Sequence, residues 1–163
     1  MWQQDYKKKV IHPDQLTERA KEIRSLGKTI ATLNGSFDLL HAGHLHILYE
    51  ASKQADVLIV ALNSDESIKK YKSSLRPLIP LEARLQMISA LEFVDYVTWF
   101  DETDPCQLLQ KIQPNVHVNG SEYRESCIEE SVVPKVHYID LVPGLSTSQI
   151  VNKILEAYDK PKA

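Results

Sequence analysis

The sequence predicts a single α/β domain, doubly wound around a central parallel sheet of about five strands. Three observations lead to this expectation. Short apolar, β-branched runs alternate along the chain with segments of helical periodicity, the pattern of right-handed strand–helix–strand units. Residues 57–62 are continuously apolar, as in a strand covered on both faces. The length of 163 residues fits one domain, and a chain of this size buries about 70% of its unfolded surface. The expected organisation is one domain over 1–163, with 1–28 as an N-terminal helical extension and 29–158 as the core.

Taken in order, residues 13–26 read as a helix. Pro13 suits a first turn, Leu16, Ala20 and Ile23 share a face, and Gly27 can close the end. Residues 29–33 read as the first strand, followed by a turn over 34–38 that contains Gly35. Residues 43–55 read as a helix, with His44, Leu48, Ala51 and Ala55 on one face. Residues 57–62 form the second strand. The polar stretch 63–80, rich in lysine and holding two prolines, reads as a long loop with at most a short helix. A helix over 81–91, strands over 96–100, 116–118 and 136–141, and a short helix over 105–112 complete the alternation. The last helix spans 146–158 and is opened by Ser146 with Gln149, a capping box. Such a Rossmann-like sheet binds ligands outside the carboxyl ends of its strands, where the strand order switches.

Composition narrows the function classes. Net charge is −3 and aromatic content 7%, unlike a dedicated nucleic-acid binder. Cys106 and Cys127 form no Cys-x-x-Cys pattern and read as free, buried or half-buried thiols. The N-terminal stretch lacks the apolar segment of a secretory signal, and no apolar run is long enough to span a bilayer. A cytoplasmic setting is the simplest expectation.

The segment Asn34-Gly-Ser-Phe-Asp-Leu-Leu-His-Ala-Gly-His44 carries the chemistry. His41 and His44 are three residues apart at a helix start and can project to one side. Free N–H groups and the positive end of the helix dipole favour phosphate there. Ala42 and Gly43 are small enough for a triphosphate to approach the backbone. Phosphoryl-type transfer asks mainly for positioning and for charge stabilisation on non-bridging oxygens, which two imidazole N–H donors supply. The plain alternative is a pair of ordinary histidines, and zinc binding by His41, His44 and His46 is a further one. A second anion site is offered by Ser146, Thr147 and Ser148 at the start of the last helix, where simple capping is the competing reading.

Residues 34–44 resemble the signature of the cytidylyltransferase-like nucleotidyltransferase superfamily, whose hallmark is His-x-Gly-His. The resemblance runs on through Asn63-Ser64-Asp65, Arg76-Pro77, Pro80-Leu-Glu-Ala-Arg84, Ala90-Leu-Glu-Phe-Val-Asp95, Asn119-Gly-Ser-Glu-Tyr123 and Gly144-Leu-Ser-Thr-Ser148. Together these are similar to the adenylyltransferase domain of the ADP-heptose synthases, often fused to a heptose kinase. The resemblance implies a catalytic core over 29–158 and His41, His44, Lys70, Lys72 and Arg84 as catalytic residues, the lysines folding over phosphates from a mobile loop. It implies nucleotide binding by Asn34, Gly35, Ser36, Phe37, Asp38, Gly43, Asn119, Gly120, Ser146, Thr147 and Ser148. Acceptor binding falls to Asp38, Asn63, Asp65 and Arg76. Asp38 would orient a histidine or the turn, or cap the helix region. A solvated charge run is the competing reading for the lysines, and a structural ion pair with Glu82 or Asp95 is the competing reading for Arg84.

The same resemblance implies transfer of AMP from ATP to a sugar 1-phosphate, heptose 1-phosphate, with release of pyrophosphate. Mg²⁺ would be held mainly by the ATP phosphates, with no side-chain metal site. The partners would be small-molecule substrates, with no nucleic acid or membrane and a homodimer as assembly. Glycerol-3-phosphate cytidylyltransferases are the nearest competitor, with FAD synthetase-like enzymes and a non-catalytic nucleotide-binding module behind them. The cytidylyltransferases have Arg-Thr-Glu-Gly-Ile-Ser-Thr-Thr where this chain has Leu141-Val-Pro-Gly-Leu-Ser-Thr-Ser148, and arginine where Glu92 stands. Both departures favour ATP. Asn119 stands where the heptose family usually has lysine, which leaves the acceptor open.

Overall fold

A computed structural model describes residues 2–159. Its core is a five-stranded, all-parallel sheet: β1 (Ile30–Gly35), β2 (Val57–Asn63), β3 (Tyr96–Phe100), β4 (Val116–Gly120) and β5 (Val136–Ile139). Their order across the sheet is β3-β2-β1-β4-β5. The chain therefore winds outward from β1 through β2 to β3, then returns to place β4 on the other side of β1. That reversal between β1 and β4 is the topological switch point, where carboxyl-end loops splay apart and leave a crevice.

Strand alternation sorts the core into two layers. Ala31, Leu33, Leu58, Val60, Leu62, Val116 and Val118 pack on one face with Leu48, Ala51, Leu85 and Ile88. Those last four come from α3 (Ala42–Ser52) and α5 (Leu81–Ser89). Ile30, Val57, Ile59 and Ala61 face the other way, against Leu16, Ala20 and Ile23 of α2 (Leu16–Ser25) and Leu108, Leu109 and Ile112 of α6 (Cys106–Ile112). All seven residues of β2 are buried, which explains its unbroken apolar run. Gly27 closes α2 at φ +73°, a backbone conformation that glycine adopts without steric cost.

The N-terminal segment does more than extend the core. A short helix, α1 (Trp2–Asp5), and a 3₁₀ turn over Tyr6–Lys9 lead to Val10, which bridges β3 at Val97. The Ile11 amide donates to the Val97 carbonyl at 2.8 Å, and Lys9 Nζ donates to the Leu91 and Val94 carbonyls at 3.1 and 2.7 Å. The segment thereby covers part of the exposed edge of β3.

The stretch 63–80 is more ordered than its composition suggests. Ser64 caps α4 (Asp65–Tyr71), its Oγ accepting from the Ser67 amide at 3.1 Å. The remainder passes through a cis Arg76–Pro77 bond to α5. The last helix, α7 (Thr147–Tyr158), is capped by Ser146, whose Oγ accepts from the Gln149 amide at 3.2 Å. None of its residues is fully buried. Among the described residues no helix is long and apolar enough to cross a membrane.

Candidate active site

A cleft of about 580 Å³ opens over the carboxyl ends of β1 and β4, within the size range of small-molecule and cofactor sites, about 300–1,000 Å³. Its centre is the turn between β1 and α3. Asn34 and Gly35 end the strand, and Phe37 takes a left-handed backbone conformation at φ +48°. For a non-glycine residue this is a strained geometry that persists when packing holds it. Here the Phe37 side chain is buried, its ring lying edge-on to His44 at 5.2 Å. A Cβ at Gly35 would come within 3.1 Å of that ring, so glycine makes room for it.

His41 is the N-cap residue of α3 and His44 lies in its first turn. Their rings stack at 3.8 Å with 22° between planes, and both line the cleft. Each Nδ1 is buried without a hydrogen-bond partner among the described residues. Burial lowers the His41 imidazole below its ordinary value. Burial, helped by His41 and Lys72 nearby, takes His44 down to about 4. Both rings are therefore mainly neutral near neutral pH. Gly43 between them is buried, and a Cβ there would meet the His41 ring at 3.0 Å and the Leu145 carbonyl at 3.1 Å. The α3 N-terminus thus presents neutral imidazoles and helix-end amides to the cleft, a preformed cradle for an anion.

The other walls bring together most of the expected residues. Asn34, Ser36, Asn63, Lys72, Asn119, Gly120, Ser146 and Thr147 all line the cleft. Lys72 Nζ donates to Ser36 Oγ at 2.9 Å. Desolvation and the neighbouring Arg76 pull its ammonium below the usual lysine value. Among the described residues, no group of three or more His, Cys, Asp or Glu side chains converges as a metal site.

Six expected site residues lie outside the cleft walls, and each has a local reason. Arg84 is fully buried and acts as a strut within the fold. It donates to the carbonyls of Ile79 at 2.9 Å, Ser36 at 2.8 Å and Asn63 at 2.7 Å, and pairs with Asp65 at 2.6 Å. Its ion-pair partner is thus Asp65, not Glu82 or Asp95. Asp65 is occupied twice, since it also accepts from the Leu81 amide at 3.0 Å. Asp38 is buried and accepts from the Leu78 and Ile79 amides, each as close as 2.8 Å, and from Arg76 at 2.5 Å. Burial alone would raise its carboxyl, but these donors outweigh it and hold Asp38 below the ordinary carboxylate value. Asp38 and Arg76 therefore clamp the loop before α5 to the β1–α3 turn, while Arg76 Nη2 stays buried without a hydrogen-bond partner among the described residues. Lys70 sits on α4 and reaches away, its Nζ donating to the Asp101 carbonyl at 3.2 Å. Ser148 lies within the capping turn of α7 but off the cleft, which Ser146 and Thr147 line.

The sequence reading missed a second wall. Thr103, Asp104, Glu122, Tyr123, Ser126 and Glu129 also line the cleft. The available signal was position: Asp104 follows the carboxyl end of β3 and Glu122 that of β4, the edge on which ligands bind.

Comparison with known proteins agrees with this geometry. The family model described as cytidylyltransferase-like matches residues 32–153. The bifunctional protein HldE of Wolinella succinogenes is 40% identical over 153 residues, which cover 93% of this chain and 32% of that protein. HldE of Geobacter metallireducens is 39% identical over 155 residues, covering 92% and 32%. This chain spans about a third of the length of these curated relatives. The crystal structure of the lipopolysaccharide core biosynthesis protein from Thermoplasma volcanium superposes with a TM-score of 0.60 at 25% identity, covering 71% of this chain and 99% of that one. With its His-Ala-Gly-His cradle at the switch point of a parallel sheet, the chain belongs to the cytidylyltransferase-like family.

Proposed function

We propose that this chain is an adenylyltransferase that transfers AMP from ATP to a sugar 1-phosphate, specifically heptose 1-phosphate, and releases pyrophosphate. The observation that carries the reading is the stacked His41–His44 pair at the α3 N-terminus, lining the cleft. In this mechanism a phosphate oxygen of the acceptor attacks the α-phosphorus of ATP. The bond from that phosphorus to the β-bridging oxygen breaks, and pyrophosphate leaves with the electron pair. His41 and His44 donate N–H bonds to the non-bridging oxygens and stabilise the charge that builds there. Lys72, Ser146 and Thr147 hold the remaining phosphates, and Gly43 keeps the backbone open to them. Mg²⁺ arrives with the nucleotide as part of the substrate. The cradle holds imidazoles, hydroxyls and amides rather than carboxylates, which suits an ion carried by phosphate oxygens and water.

The similarity to bifunctional HldE proteins over almost the whole of this chain supports the heptose acceptor. Glu92 and the Leu141–Pro143 stretch support ATP over CTP. Asn119 favours a second reading, a cytidylyltransferase or FAD synthetase-like enzyme acting on another phosphorylated acceptor. A homodimer accompanies either reading and is checked by sedimentation equilibrium. The deciding experiment measures pyrophosphate release across ATP and CTP, each with heptose 1-phosphate, glycerol 3-phosphate and FMN. Fastest turnover with ATP and heptose 1-phosphate is expected, whereas faster turnover with CTP would sink the adenylyl assignment.

A further inference from the structure

The cleft has chemically unlike limbs. His41, His44 and Lys72 form the cationic and hydrogen-bond-donating limb. Beside it, Ile47, Leu141, Val142 and Leu145 line an apolar slot suited to a planar base. A third group of lining residues is acidic: Asp104, Glu122 and Glu129.

Glu129 is the unusual member. It is 8% exposed, yet pairs with no cation among the described residues. Its Oε2 accepts from the Cys127 thiol at 3.3 Å, and Cys127 Sγ in turn accepts from Asn119 Nδ2 at 3.8 Å. Its Oε1 has no hydrogen bond among the described residues. Cys127 thus holds one oxygen of the carboxylate, while the other stays open on a cleft wall. Asp104 is likewise fixed, its Oδ1 accepting from the Cys106 amide at 2.9 Å.

We infer that Glu129, with Asp104, is the specificity wall for the acceptor, accepting hydrogen bonds from the hydroxyl groups of its uncharged polyol body. The inference rests on the nucleotidyl-transfer reading above and places the acceptor's polyol body on the cleft wall itself, which Asp38, Asp65 and Arg76 do not line. The base takes the apolar slot and the phosphates take the histidine limb, which leaves this limb to the acceptor's hydroxyls. A second anionic group on the acceptor would meet two or three carboxylates and be rejected. The substrate class is therefore a polyol or sugar with a single phosphate, whose hydroxyls extend away from it.

The test is steady-state kinetics on the full chain as wild type, Glu129→Gln and Asp104→Asn. The acceptor is the phosphorylated one that wild type uses best, and folding is checked by circular dichroism. Losing a hydrogen bond to a charged acceptor raises KM for that substrate by roughly ten- to a hundredfold, with KM for ATP unchanged. The inference is overturned if KM for ATP rises while that for the acceptor does not, because the limb then holds the nucleoside. It also fails if neither constant moves. Asp104→Asn keeps the oxygen that the Cys106 amide needs, so it decides the matter if Glu129→Gln does not fold. If wild type turns over no phosphorylated polyol, the functional reading fails with it. If wild type turns one over and neither variant shifts its KM, only this inference fails.

Discussion

His44 is the residue on which the chemistry turns. Its ring is packed between Phe37 and His41, so it is oriented before any ligand arrives. Removing one preorganised donor of this kind costs about 10²–10³ in rate. His44→Ala is therefore expected to lower kcat by that factor, with its circular dichroism spectrum unchanged. Near-full activity in the variant would refute the phosphate-binding role. Gly43 is a sharper steric test. A Cβ there would stand 3.0 Å from the His41 ring and 3.1 Å from the Leu145 carbonyl, and the carbonyl cannot move without its loop. Gly43→Ala is expected to weaken ATP binding at least as much as it slows turnover, measured by calorimetric titration against kinetics. Unchanged ATP affinity would show that the approach of backbone to phosphate is not tight.

At the scale of elements, the loop between α4 and α5 is tied to the cradle by buried charge. Arg84 joins the ends of β1 and β2 through the Ser36 and Asn63 carbonyls, while Asp38 grips the Leu78 and Ile79 amides. Breaking a buried pair by removing one partner typically costs about 3–5 kcal/mol. Arg84→Met is expected to lose stability on that order in urea denaturation, because three carbonyls and Asp65 lose their donor together. A loss below about 1 kcal/mol would contradict the strut. These same residues mark what the sequence could and could not disclose. The strands, the α3 face and the His-Ala-Gly-His turn were legible because period and spacing alone define them. The roles of Asp38, Asp65, Arg76 and Arg84 were not, since polar residues near a motif look alike whether they meet a ligand or one another. Only the fold decides that, by bringing Asp38 to residues forty positions away. Lys70 parts from Lys72 for a related reason: it sits on α4 and its Nζ donates to the Asp101 carbonyl, while Lys72 follows the helix and lines the cleft.

At the scale of the whole molecule, the sheet itself carries a pH dependence through His117. It lies in β4, at the middle of the molecule, fully buried, with Nδ1 at 2.8 Å from the Thr32 hydroxyl and Nε2 without a partner among the described residues. Burial takes its pKa down to about 4. In the unfolded chain the same imidazole gains a proton near its ordinary value of about 6.5. Between these values the unfolded state binds more protons than the folded one, so stability falls as the medium is acidified from about pH 6.5 to 4 and levels off below. At 1.36 kcal/mol per unit, the loss from this group is about 2 kcal/mol by pH 5. His44 acts in the same direction, so His117 accounts for part of the acid limb. Replacing both partners, Thr32→Val with His117→Leu, removes the titrating group without stranding a hydroxyl and is close to neutral at pH 7.5. Melting temperatures recorded from pH 7.5 to 4.5 are therefore expected to fall less steeply in the double variant than in wild type. Parallel curves would mean that His117 accepts its proton in the folded sheet, and that the strand core opens to water more readily than its burial implies.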